Sequence, residues 1–219
     1  VQDLSITDSY ISESNSYSAS VGGVCGRNVG GTITNCSFAG SVTSTITDDN
    51  SSDVDVGGIC GSNNGNIDNC SFTGSVTFSG TDTYVGGVCG GNVSDGKISN
   101  CRNTGSVTGN GNEIDVGGVC GYNYGKISDC RNTGSVTGNG NEIDVGGVCG
   151  YNEIHHQGSW RGGTITNCCN TGSVSGTGNE IYIGGVYGWS EGDNDDEVKI
   201  RNCYNTGSVT LTGTGTNYV

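Results

Sequence analysis

This chain is expected to be all-β, a parallel β-solenoid (β-helix) of about six repeats with three short strands per coil. Three observations lead there. The composition is that of strands and turns: 43 of 219 residues are Gly, Pro and Met are absent, Leu occurs only at Leu4 and Leu211, and Ala only at Ala19 and Ala39. The best helix formers are therefore scarce, while Val, Ile, Thr and Tyr are plentiful. The chain also respells itself, since residues 101–123 and 130–152 are identical. Finally, the apolar residues and cysteines recur in register. Disordered low-complexity chains need no register, so disorder is set aside despite the net charge of -14.

Six copies align on V/I-G-G, starting at Val21, Val56, Val85, Val116, Val145 and Ile183. A Cys preceded by Asn or Asp follows, at Cys36, Cys70, Cys101, Cys130, Cys168 and Cys203. G-S-V completes the copy, at Gly40, Gly74, Gly105, Gly134, Gly172 and Gly207. A repeat of 20–50 residues marks a solenoid or array whose copies bury their apolar faces only by stacking. Each copy offers three apolar stretches, like "EIDVGGVCG", "KISDC" and "GSVTG". Between them lie Asn, Gly and Asp, read as turn residues. Coils stacked about 4.8 Å apart place equivalent residues in ladders, and six make a rod on the order of 29 Å long. Val42, Val76, Val107, Val136, Val174 and Val209 are one such expected ladder, and a right-handed coil follows from the usual hand of parallel crossovers. A leucine-rich repeat needs leucines this chain lacks, a calcium-binding nonapeptide array needs Gly and Asp every nine residues, and a propeller blade needs a longer repeat. The reading is one solenoid domain over 1–219, with 1–20 as a cap or partial repeat.

With 22 acidic against 8 basic residues, nucleic acid and anionic membranes are poor partners. No apolar run reaches transmembrane length. The chain starts in what reads as mid-repeat, without Met or signal peptide, as a processed or excised segment would.

The stretch "VGGVCGYNYGKISDCRNTGSVTG" resembles the GLUG repeat, of the form V-G-G-L-V-G-x-N-x-G-x-I-x-N-C/S-Y-x-T-G-x-V, and the resemblance spans all six copies. It implies a noncatalytic structural or adhesive module of a secreted or surface-attached bacterial protein: extracellular, without cofactor, part of a larger protein, acting as a stalk or presenting a face to a host protein or carbohydrate. The alternative it implies is the noncatalytic repeat region of a secreted immunoglobulin A metallopeptidase. A lattice-binding surface built on the column Thr73, Thr104, Thr133, Thr171 and Thr206 is a third reading. The chain departs from the family form at Cys25, Cys60, Cys89, Cys120 and Cys149, where Val is usual.

The twelve cysteines admit three roles. They line the core as small hydrophobes, or form within-coil disulfides (Cys25–Cys36, Cys60–Cys70, Cys89–Cys101, Cys120–Cys130 and Cys149–Cys168) as an extracellular setting favours, or bind metal. The C-x-x-C spacing of zinc sites is absent, Cys168 and Cys169 are adjacent, and Tyr187 stands where a sixth pair would need Cys. His155 and His156, with Trp160 and Arg161, sit in an insertion expected to be a surface loop. Residues 191–199, "EGDNDDEVK", have calcium-loop composition without its order and read as a solvated loop. No catalytic or metal-binding set emerges. Asp53, Asp82, Glu113, Glu142 and Glu180 share the position three residues before V/I-G-G, and stacking lines them up. Neighbours about 5 Å apart repel by roughly 1 kcal/mol in a water-like dielectric. The column is either a hydrated ladder or a strip for a cation or ligand, with Arg102 and Arg131 offsetting some charge.

Overall fold

The computed structural model describes residues 1–15, 18–46, 54–154, 163–192 and 200–219. These form strands and turns with no helix, wound as a parallel β-solenoid of about six turns. A central coil shows the pattern. Cys120–Asn123, Lys126–Ser128, Arg131–Asn132 and Val136–Gly146 are strands. They pair in parallel with Cys149–Ile154, Thr164–Thr166, Cys169–Asn170 and Val174–Gly184 of the next coil. Each apolar stretch of the repeat thus contributes a strand, and from its Val onward G-S-V runs into the first glycine of the next copy's V-G-G as one strand, here Val136–Gly146. The first strand, Ser5–Asn15, pairs with Ser37–Ile46 and places Ile11 beside Val42, so the N-terminal residues stack as part of a coil.

The expected valine ladder is present: Val42, Val76, Val107, Val136, Val174 and Val209 are consecutive partners. The first five are fully buried. Ile67, Ile98, Ile127 and Ile165 form a second buried ladder on the facing sheet.

The V-G-G glycines are required by close approach. A Cβ on Gly117 would lie 1.8 Å from the carbonyl oxygen of Cys120. One on Gly118 would lie 2.2 Å from that of Gly147 and 2.5 Å from the Asn132 side chain. No side chain fits there.

Two groups of Asn and Asp residues stand out, and only one matches the turn expectation. Those before the second Cys column (Asn35, Asn69, Asn100, Asp129, Asn167 and Asn202) occupy left-handed corners with φ between 50° and 55°, which Asn and Asp tolerate best. A second group lies in the core. Asn63, Asn92, Asn123 and Asn152 are fully buried, as are Asn103, Asn132 and Asn170. In each set the side-chain amide donates to the amide oxygen of the next coil: Asn63 to Asn92 at 2.9 Å, Asn92 to Asn123 and Asn123 to Asn152 at 2.8 Å. The second set runs Asn103 to Asn132 to Asn170 to Asn205, each step 2.8 Å. Stacking supplies the partner that a buried amide needs. In the early coils Phe38 and Phe72 take the second column's place and stack with ring centroids 6.1 Å apart.

Candidate functional site: an aromatic and acidic groove

Two outward repeat positions border one face of the solenoid. The residue before V/I-G-G forms the column Ser20, Asp55, Tyr84, Asp115, Asp144 and Tyr182. The variable residue of C-G-x-N forms the column Arg27, Ser62, Gly91, Tyr122, Tyr151 and Trp189. Alternation in the strands turns both columns away from the core.

Between them runs a groove of three depressions with shared walls. The first, of 460 Å³, is lined by Ser20, Arg27, Asp55, Ser62, Tyr84 and Tyr122 among others. Tyr84 also borders the second, of 260 Å³, whose lining includes Asp82, Glu113 and Asp115. Glu142, Asp144 and Tyr151 are common to the second and the third. The third, of 340 Å³, ends at Tyr182, Trp189 and Glu191.

The rings are in mutual contact. Tyr84 and Tyr122 stack with centroids 4.7 Å apart. Tyr122 meets Tyr151 at 5.7 Å. Tyr182 packs edge-on to Trp189 at 4.1 Å and face to face with Tyr218 at 4.8 Å. Two phenols are anchored: Tyr122 donates to Glu153, and Tyr151 donates to Glu191 at 2.8 Å. Burial, followed by these carboxylates, pushes both phenols up from their ordinary ionisation range, so the rings stay neutral at physiological pH.

Asp115 and Asp144 are ladder partners on the groove floor. Burial raises both carboxyls above the ordinary carboxylate range, and a hydrogen bond joins them. That contact needs one proton between two carboxylates, because two charges this close do not both ionise cheaply.

The column predicted from the sequence forms one rim of this groove. Asp82, Glu113, Glu142 and Glu180 occupy one corner with φ between 47° and 52°, a conformation that costs a glutamate on the order of 1 kcal/mol. Glu113 shares a hydrogen bond with Asp82, and this bond, with charge repulsion from Asp82 and Glu142, raises its carboxyl. Asp53 lies outside the described residues, as do His155, His156, Trp160, Arg161 and residues 193–199. Arg102 and Arg131 stack with Ser71 and Cys169 in a different column. The aromatic wall was not anticipated. Its signal was present in the repeated "CGYN", where one position alternates between small, basic and aromatic residues.

All twelve cysteines are free thiols. None of Cys25–Cys36, Cys60–Cys70, Cys89–Cys101, Cys120–Cys130 and Cys149–Cys168 is bridged. Cys60, Cys89, Cys120 and Cys149 instead form an axial ladder. Every thiol but that of Cys169 donates to a backbone carbonyl two residues away, such as Cys120 to Tyr122 at 3.1 Å and Cys130 to Ser128 at 3.1 Å. Burial raises the Cys89 and Cys149 thiols, as suits core-lining groups rather than nucleophiles. Among the described residues, no three His, Cys, Asp or Glu side chains are placed to hold a metal ion, and no helix is long and apolar enough to cross a membrane.

Comparison with known proteins agrees with this geometry. No match was found among curated proteins. A crystal structure of a "putative immunoglobulin A1 protease" from Bacteroides ovatus is similar, with a TM-score of 0.61 over 97% of this chain and 67% of that one, at 21% identity; at that identity the likeness is one of fold. The GLUG motif matches at residues 17–43, 53–77, 81–108 and 112–137, and the two later copies continue the same ladders. The chain therefore carries GLUG-motif repeats and folds as a parallel β-solenoid.

Proposed function

We propose that this chain is a noncatalytic, extracellular repeat module of a surface-attached or secreted protein, and that it presents the groove to a ligand. The observation that supports this reading best is the division of labour between repeat positions. Inward positions keep Val, Ile, Cys and Asn from coil to coil, while the two outward columns vary and assemble a concave aromatic surface. A stalk alone needs only the inward positions. Among the described residues the groove is lined by no Cys, His or Lys, and its close carboxyl pair is tied up in mutual hydrogen bonding, which supports binding rather than turnover.

The fold shared with the Bacteroides ovatus protein favours a second reading, the noncatalytic repeat region of a secreted peptidase. Both readings are tested on intact cells of the source organism with an antibody to this chain. Surface labelling or recovery from the medium is expected, with no cleavage of immunoglobulin A1 by the isolated chain. A signal confined to the cell interior overturns the extracellular module, and cleavage by the isolated chain overturns its noncatalytic character. Deleting the segment from its parent protein separates the two readings, since only a peptidase accessory would change peptidase activity.

A further inference from the structure

The first depression differs from the other two. Its column would continue the tyrosines of the later coils, but Ser62 and Gly91 stand where Tyr122 and Tyr151 stand further on. The missing rings open a notch. The Asp55 carboxylate fills part of the space over Gly91, where a Cβ would lie 2.3 Å from its Oδ1. Ser62 is only 6% exposed and lines the notch, and its hydroxyl has no hydrogen-bond partner among the described residues. A buried hydroxyl left without a partner is costly, and here it faces a cavity open to solvent. Asp55, also buried at 8% exposure, and Arg27 give the notch one charge of each sign, and the Tyr84–Tyr122 stack walls it.

We propose that the notch binds one ring of a neutral glycan, whose chain then runs along the groove toward Trp189. This rests on the reading of the chain as a ligand-presenting module and names the ligand class. The apolar C–H face of a pyranose packs on an aromatic ring, while its hydroxyls need donors and acceptors together. Ser62 offers both, Arg27 donates and Asp55 accepts. The balanced pair favours a neutral ligand, and the acidic rim beyond repels anionic glycans. Pyranose units of an extended glycan advance by a distance comparable to the coil step of about 4.8 Å, so later rings meet Tyr151 and then Tyr182 with Trp189. The Asp115–Asp144 pair presents acceptor oxygens along that path.

The test is an array of neutral glycans probed with the labelled chain, with the strongest oligosaccharide then titrated by its effect on Tyr and Trp fluorescence. An arginine- and lysine-rich octapeptide and an anionic glycan serve as comparison ligands. Neutral oligosaccharides are expected to bind, with affinity little changed between low and physiological salt. Ser62→Tyr extends the aromatic column as Tyr122 and Tyr151 do, and so fills the notch while keeping the fold. It should weaken binding at least tenfold, as should Tyr84→Ala, with circular dichroism confirming that both variants fold. Absence of binding to every neutral glycan, preference for the basic peptide or the anionic glycan, or unchanged binding by both variants would overturn the proposal. A chain displayed on cells that fails this test leaves the display reading standing and removes only the glycan.

Discussion

Replacing Asn132 by Ala probes the buried amide ladder at its centre. Asn132 is fully buried and its side chain takes part in four hydrogen bonds. It donates to the Gly134 carbonyl at 2.9 Å and to Asn170 at 2.8 Å, and accepts from Asn103 at 2.8 Å and from the Gly134 amide at 3.2 Å. At about 1 kcal/mol net each, their loss costs about 4 kcal/mol, and the groups left unpaired in a dry core push the figure upward. The same column ends at the half-buried Asn205, which has three such bonds, from Asn170, to the Gly207 carbonyl and from the Gly207 amide. Water replaces partners at that end, so Asn205→Ala should cost about 1–2 kcal/mol. Urea denaturation followed by far-ultraviolet circular dichroism measures both. A stacked array can unzip from an end, so hydrogen exchange of the Val136 and Val174 amides provides a local reading of the same loss. A cost below about 1 kcal/mol for Asn132→Ala, or an equal cost at both positions, would refute the ladder as a source of stability.

Other outcomes follow from the same geometry. Burial holds Asp144 up at about 7 in the folded chain against about 3.9 unfolded, so between those values the folded state binds the extra proton; stability should fall as pH rises from 4.5 to 7.5, and Asp144→Asn should flatten the slope. Ellman titration of the unfolded, unreduced chain should count twelve thiols, whereas five within-coil disulfides would leave two; in the native chain the half-buried Cys25, Cys169 and Cys203 should react first. Glu142→Gln should raise the denaturation midpoint slightly at low ionic strength, with the gain shrinking in salt. A fall in melting temperature confined to millimolar calcium would make the rim a cation strip instead, and no change in either condition would mean that the carboxylates are splayed apart.

Much of the fold was legible in the sequence because each inward position repeats its residue type. Val107 and Val136 are letter-for-letter equivalents and meet as partners, and the residue before Cys130 is a turn-tolerant Asp. The buried asparagines were not legible. A lone Asn in a short repeat is more often a turn residue, and only the neighbouring coil, 4.8 Å away in a parallel stack, turns Asn132 into a core residue with satisfied donors. The rim acids Asp82, Glu113, Glu142 and Glu180 were found because they share a charge. The facing wall was missed because its column shares no residue type: Arg27, Ser62, Gly91, Tyr122, Tyr151 and Trp189 are related only by register.

That lack of uniformity is where specificity can arise in an array of near-identical copies. Residues 101–123 and 130–152 are identical, so the copies on either side of Asp115 and Asp144 offer a ligand the same surface twice. Such a surface fixes the direction of a bound chain but not its position along the axis. Position has to be set where neighbouring copies differ. At one end the column drops from Tyr122 to Gly91 and Ser62 and leaves a notch. At the other, Trp189 replaces tyrosine and packs on Tyr182, which Tyr218 covers in turn. Identical central coils thus carry a continuous floor between two unlike ends, and a ligand that bridges them has only one register. Reversing the two ends with Ser62→Tyr and Trp189→Ser together should therefore shift a bound chain's register while leaving the stack intact. A chain whose register stays fixed after that exchange would place the selecting contacts on the rim acids instead.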